Sequence, residues 1–329
     1  MKILYTGDWH IRGNNPRARV DDYRETIKEK LRQVFQLAKS YGVKYIVTPG
    51  DTFDRPDAAV ALVLDFARLI WQETPVPIIT TAGNHDLFGH NPDSFGRTSL
   101  AVLSAILRDK FKVILHPQEG FRDVIGQREN RRLYSFTAIP FSPQVDRGGF
   151  GYCPGIGSAD IETLVHVSHG MLLDHVPPWD KYTLVEEVQT KADIVLAGHD
   201  HLGFGVIKRR DGKIFVNPGG LMRISASVAE INRPVRVAVI DLDTKDVKLV
   251  PLQVQPGDKV LDRSHLEQAA AREESMRGFT EILDQSAELK LLDLTEIIER
   301  LSLAERLPEH VRDEALARLA KVRERLKAG

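Results

Sequence analysis

Cysteine is nearly absent. The chain has one among 329 residues, Cys153. That excludes an intramolecular disulfide and argues against a thiolate zinc cluster. Long apolar runs are absent too: none approaches the roughly 18 residues that a membrane-spanning helix needs. The N-terminal MKILYTGDWH lacks the apolar stretch and small-residue cleavage site of a signal peptide. Together these absences lead us to expect a cytoplasmic protein with no membrane partner. An excess of charge is also missing. The net charge is −1, so any attraction for nucleic acid has to come from local basic patches. There are no internal repeats and no low-complexity tracts. What remains is 42% hydrophobic and 28% charged residues, an ordinary globular composition. The length suits one large catalytic domain with a smaller appendage.

The first half alternates strand and helix. Strands are predicted at Lys2–Thr6, Tyr45–Thr48, Pro77–Thr81 and Lys112–Leu115. Between them, Tyr23, Ile27, Leu31, Val34 and Ala38 recur with the period of one helix face, and Gly42 ends that run. Further helices are predicted around Leu62, Phe66, Leu69 and Ile70 and at Ser99–Leu107. The second half is richer in strands, at Leu133–Ile139, Leu164–Ser168, Ile194–Ala197, Gly205–Lys208, Lys213–Val216, Arg236–Asp241 and Val247–Leu252. This order predicts an α/β protein: a layered α/β/β/α sandwich with two mixed sheets and a C-terminal helical appendage. The composition shifts near Gly257, which divides the chain into a catalytic domain at 1–257 and a helical appendage at 258–329. Helices are predicted there at Ser286–Leu303 and Leu307–Leu326.

Five short motifs each fall where a predicted strand ends. They are Asp8-x-His10, Gly50-Asp51-x-x-Asp54, Gly83-Asn84-His85-Asp86, His169-Gly170 and Gly198-His199-x-His201. Strand ends along one sheet edge are where α/β proteins place ligands. Mixed imidazole and carboxylate donors suit a pair of divalent ions such as Mn, Fe or Zn. If the segments are extended, residues two apart share a face. On that expectation Asp8 and His10 grip one ion, and His199 and His201 grip another. Asp51 has two anionic oxygens and can bridge, Asn84 supplies an oxygen and His169 a nitrogen. Two ions about 3.5–4 Å apart lower the pKa of a shared water and clamp the attacking and leaving oxygens of a phosphoester. His85 is the candidate for protonating the leaving oxygen or stabilising the transition-state phosphate, with Asp86 to orient its ring. Arg12, Arg17 and Arg19, just after the first motif, and Arg223, after the Pro-Gly-Gly turn, are candidates for holding substrate phosphates. Asp54 reads equally as a support for the site and as the start of a helix. His166 reads as a packing residue.

The segments ILYTGDWHIRG, IVTPGDTFDRP, TAGNHD, VSHGML, LAGHDHLG and VNPGGLMR resemble, in order, the calcineurin-like metallophosphoesterase superfamily. Within it the resemblance is to SbcD-type DNA repair nucleases and covers about residues 1–250. It implies that Asp8, His10, Asp51, Asn84, His169, His199 and His201 hold two metal ions, manganese being the usual choice, and that His85 is catalytic. It also implies a metal-activated hydroxide as nucleophile, DNA as substrate in repair or recombination, exonuclease and endonuclease activity, a homodimer, and an SbcC-type ATPase partner. Where the family has Asn-Pro-Gly-Ser, this chain has Asn217-Pro218-Gly219-Gly220. A phosphodiesterase or phosphatase for small molecules or phosphoproteins would use the same motifs. A non-catalytic binding module would not need all of them.

Overall fold

The computed structural model describes residues 1–116, 121–125, 132–155, 162–264, 272, 276 and 294–327. The chain divides into two compact units, Met1–Arg263 and Ser264–Gly329.

The first unit is built on two six-stranded mixed sheets. The first sheet contains β1 (Lys2–Tyr5), β2 (Tyr45–Val47), β3 (Ile78–Thr80) and β4 (Phe111–Val113), which run parallel. It is extended by the antiparallel β13 (Arg236–Asp241) and β14 (Asp246–Pro251) in the order β14-β13-β1-β2-β3-β4. The second sheet holds β5 (Phe121–Ile125), β6 (Arg132–Ile139), β7 (Thr163–Ser168), β10 (Ile194–Ala197), β11 (Gly205–Lys208) and β12 (Ile214–Asn217). Its order is β11-β12-β10-β7-β6-β5, with β11 and β5 as antiparallel edges. The two-residue strands β8 (Leu172–Leu173) and β9 (Thr183–Leu184) pair outside both sheets.

Side chains alternate across each strand, and that alternation divides the core. Ile3, Tyr5, Tyr45, Val47 and Ile79 face the second sheet and pack with Phe136, Val165, Val167, Leu196 and Val216. Leu4, Ile46 and Ile78 face the other way, against helices α1 (Tyr23–Ser40), α2 (Val60–Glu73) and α3 (Ser99–Leu107). On the far side of the second sheet, Leu164, Val195 and Phe215 pack with Val145, Tyr152, Leu172, Val185 and Val188. Each fully buried aliphatic or Phe side chain contributes about 1.5–3 kcal/mol by leaving water.

Helix α1 begins where the sequence places it, because the Asp22 carboxylate accepts the Glu25 N–H at 3.0 Å. Thr98 caps α3 in the same way through Ala101. The strands β5, β8 and β9 and the short helices α4 (Val228–Asn232) and α5 (Gly257–Val260) are additions to the predicted elements. In the second unit the described helices are Leu294–Ala304 and Glu309–Lys327. The part of the helix predicted at Ser286–Leu303 that precedes residue 294 lies outside the described residues. Among the described residues no helix is long and apolar enough to cross a membrane.

Candidate metal centre

The five motifs follow the C-terminal ends of β1, β2, β3, β7 and β10, the parallel strands of both sheets. They meet because the two sheets stack with these ends at one edge. Asp8, His10, Asp51 and His201 form one group of potential ligands, with their donor atoms within 4.8 Å of one another. Asp51, His169 and His199 form a second, and Asp51 is common to both. Its Oδ2 lies 3.5 Å from His10 Nε2 and 3.3 Å from His169 Nε2. Asn84 joins the second group, with Oδ1 3.0 Å from His169 Nε2. All seven predicted ligands therefore converge.

The local backbone differs from the expected extended segments. His10, Asp51 and His199 have φ of 49°, 46° and 72°. For residues with a Cβ this left-handed region costs of the order of 1–3 kcal/mol, a strain characteristic of functional sites. It sends each side chain off the strand line. His199 and His201 consequently enter different groups, where an extended segment would have aimed both at one ion. Close backbone approach is needed as well: a Cβ at Gly198 would collide with Asp8 Oδ1 and Pro49.

The donor set fits a pair of divalent cations. Asp8 Oδ1 and Asp51 Oδ2 are buried without a hydrogen-bond partner, an arrangement that is costly for a carboxylate with no cation beside it. His10 Nε2 and His201 Nε2 face each other at 2.9 Å. His169 gives its Nδ1–H to the Pro49 carbonyl at 3.1 Å, which turns Nε2 toward Asp51 and Asn84. Burial opposes charge on His169, but the Asp51 carboxylate overrides it and raises the pKa to about 9. Burial, and then the His169 charge, push His199 down to about 4. Asp51 is held well below the usual carboxylate range, despite its burial, by the charges of His169 and His10. Ions entering such a centre displace protons from the imidazoles.

His85 sits beside the first group, and its donor atom clusters with those of His10 and Asp54. Its backbone N–H donates to Asp51 Oδ1 at 2.8 Å, and its ring Nδ1–H donates to the Asp54 carbonyl at 2.9 Å. Nε2 is the ring nitrogen left to meet a substrate. Asp86, expected to orient this ring, does something else. It is fully buried and accepts the backbone N–H groups of Thr52, Phe53 and Gly83 at 3.0–3.2 Å, which fastens the second motif to the third. Burial, then the Asp51 charge, raise its pKa to about 7 against the pull of those donors.

The arginines separate. Arg12 lies 3.3 Å from Asp54 Oδ2 and lines a cavity of about 230 Å³ with Asn14 and Arg55. Arg17 is exposed on the same loop. Arg19 is buried and chelates Asp21. Arg223 does not join the metal-ligand groups: it is buried and donates to the carbonyls of Gln255 and Arg233. The Pro-Gly-Gly turn that suggested it directs the chain inward, where Leu221 N–H bonds the Asp8 carbonyl. His166 is packed as expected, between Thr137 and the Gly151 carbonyl. One residue escaped the sequence reading. Phe141 puts its ring 5.5 Å from that of His199 and 6.1 Å from that of His169. It follows β6, a parallel neighbour of β7, but only the strand order reveals that it reaches this edge.

Stacked mixed sheets that gather Asp and His clusters at their parallel strand ends form a site that fits a pair of divalent ions. Residues 1–203 match the calcineurin-like phosphoesterase family, and the chain belongs to it. Members of that family act through two metal ions. Exonuclease subunit 1 of Enterobacteria phage T4 is 33% identical over 98 residues, which are 28% of this chain and 27% of the phage protein. The chain thus spans about a quarter of that relative's length. Among solved structures, an archaeal phosphodiesterase is similar over 77% of this chain and 100% of its own, at 13% identity and a TM-score of 0.38. A protein of Thermus thermophilus is similar over 77% of this chain and 99% of its own, at 13% identity and a TM-score of 0.42.

Proposed function

We propose that this chain is a two-metal DNA nuclease of SbcD type, acting as exonuclease and endonuclease in repair or recombination. The observation that carries the reading is the single Asp51 carboxylate placed between His10 on one side and His169 on the other. Asp8, His10, Asp51 and His201 hold one ion, and Asp51, Asn84, His169 and His199 hold the second, with manganese as the metal. A bound pair of such ions activates water at neutral pH and neutralises the charge of a phosphodiester. The chain's own residues do the rest. His85, fixed by Asp54, offers Nε2 to the leaving oxygen. Arg12 and Arg17 approach the flanking phosphates. Similarity over 98 residues to the phage exonuclease subunit supports a nucleic acid over a small phosphoester.

Residues 1–257 form the catalytic domain on this reading, and 258–329 an appendage that binds an SbcC-type ATPase. Exposed apolar side chains on α2 (Val60, Leu64, Trp71) and α3 (Val102, Ile106) support a homodimer. The protein works in the cytoplasm. The test is digestion of end-labelled single- and double-stranded DNA with added manganese. Parent protein is expected to shorten the DNA, and His85→Ala to do so about a hundredfold or more slowly while retaining metal. Intact DNA alongside hydrolysis of bis(p-nitrophenyl) phosphate would replace the nuclease reading with a small-molecule phosphodiesterase.

A further inference from the structure

A cavity of about 290 Å³ lies between α1 and the segments around Arg223 and Gln253–Gln255, and none of the metal-centre residues lines it. Three cations line it: Arg19, Lys30 and Arg223, which are 6%, 3% and 6% exposed. A fourth cation, Arg233, is buried nearby, its carbonyl accepting from Arg223. Two carboxylates are already engaged. Arg19 takes Asp21 in a two-pronged ion pair, and Arg233 takes Glu230 at 2.9 Å. Lys30 and Arg223 have no carboxylate partner among the described residues. Lys30 donates to the Leu221 carbonyl at 2.8 Å, and Arg223 to two carbonyls. The Nε of Arg223 and one terminal nitrogen of Arg233 are buried with no acceptor.

Buried cations without counter-charge cost several kcal/mol each, and a fold that keeps them beside an open polar cavity gains by admitting an anion. We infer that this cavity is an oxyanion site, built to take a phosphate group between Lys30, Arg19 and Arg223. The rest of the lining is polar: Thr26 gives its hydroxyl to Asp21, Gln33 gives its amide N–H to the Gln253 carbonyl, and Glu29 is an exposed carboxylate. Burial, followed by the charges of Arg19, Arg233 and Arg223, lowers the pKa of Lys30 well below that of an ordinary lysine. A phosphate beside it would restore it. The site also touches the metal centre through the chain. Lys30 holds the Leu221 carbonyl, Leu221 N–H holds the Asp8 carbonyl, and Arg19 holds the Arg223 carbonyl at 3.1 Å. An occupant therefore fastens the segment against which Asp8 rests. The phosphate could come from a free ion or from a nucleic-acid end.

The test uses the full chain stripped of metal, so that no bound ion captures the ligand. Inorganic phosphate and a 5′-phosphorylated oligonucleotide are titrated separately by calorimetry, alongside thermal unfolding. Saturable one-to-one binding is expected, weakened about tenfold by Lys30→Met, the loss of one charge-assisted hydrogen bond. His169→Ala, in the metal centre, should leave it unchanged. Glu29→Gln removes an exposed carboxylate from the lining without touching the core and should tighten binding, so the inference stays open to test even if Lys30→Met fails to fold. Binding of inorganic phosphate identifies a free ion as the occupant, and binding of the oligonucleotide alone identifies a nucleic-acid phosphate. No saturable binding of either ligand overturns the site. So does binding abolished by His169→Ala, or binding indifferent to both Lys30→Met and Glu29→Gln.

Discussion

His85 gives its ring Nδ1–H to the backbone carbonyl of Asp54 at 2.9 Å, while the Asp54 carboxylate serves two other groups. Its Oδ1 lies 3.6 Å from His10 Nδ1 and its Oδ2 3.3 Å from Arg12. One residue thus supports both the proposed general acid and a proposed metal ligand, by different atoms. Asp54→Asn keeps the carbonyl and removes the charge. Affinity for metal at the His10 position is expected to fall about tenfold, as it does when a carboxylate behind a ligating histidine is lost. The kcat at saturating metal should stay close to that of the parent. Metal titration of activity separates the two, and a collapse of kcat at saturating metal would show that the carboxylate itself acts on the phosphate.

His199 and His201 are two residues apart but belong to different ligand groups. His201→Ala should therefore retain the ion on the His169 side, His199→Ala should retain the ion on the His10 side, and Asp51→Ala should lose both. Metal content after dialysis, with calorimetric titration of each variant, reads this directly. If His199→Ala and His201→Ala emptied the same position, the division of ligands would be wrong.

His166 is fully buried, and burial lowers its pKa from the ordinary 6.5 to about 4, with the Gly151 carbonyl only partly offsetting it. The unfolded chain takes up a proton near pH 6.5 that the folded chain refuses until about pH 4. Stability is thus full above pH 6.5 and declines as pH falls toward 4, by about 3 kcal/mol in all and about 2 kcal/mol by pH 5. Urea unfolding of the metal-free chain near pH 7.5 and pH 5 should show this loss, with a smaller pH dependence in His166→Gln. Equal slopes in parent and variant would contradict the assignment.

Leu64 on α2 and Ile106 on α3 are exposed on helices that also expose Val60, Trp71 and Val102. If this face joins two copies, Leu64→Glu with Ile106→Glu should convert dimer to monomer in sedimentation while metal content is preserved, because charges in an apolar interface are costly. A parent protein that sediments as a monomer at micromolar concentration would remove the homodimer.

Much of the fold was legible because burial imposes periods on a chain. The 3.6-residue spacing of Tyr23, Ile27, Leu31 and Val34 marked α1, and Gly and Asp after short β-rich runs marked the strand ends. Asp86 and Arg223 were misread for a related reason. Charged residues next to functional motifs look alike in sequence whether they face substrate or the interior. Asp86 is engaged by three backbone N–H groups and Arg223 by two carbonyls, and neither fact has a local pattern.

The sequence by itself picked out the residues proposed to bear the chemistry, the seven candidate ligands and His85, each just after a run that reads as a strand. It also determined the mixed α/β class, since alternation and helical spacing are properties of neighbouring residues. Only the tertiary structure decided how the donors are shared between two groups. That division depends on left-handed turns at His10, Asp51 and His199 and on two sheets stacking with their parallel ends aligned. The strain of such turns is offset by contacts among residues far apart in the chain, and those contacts form only when the sheets pack.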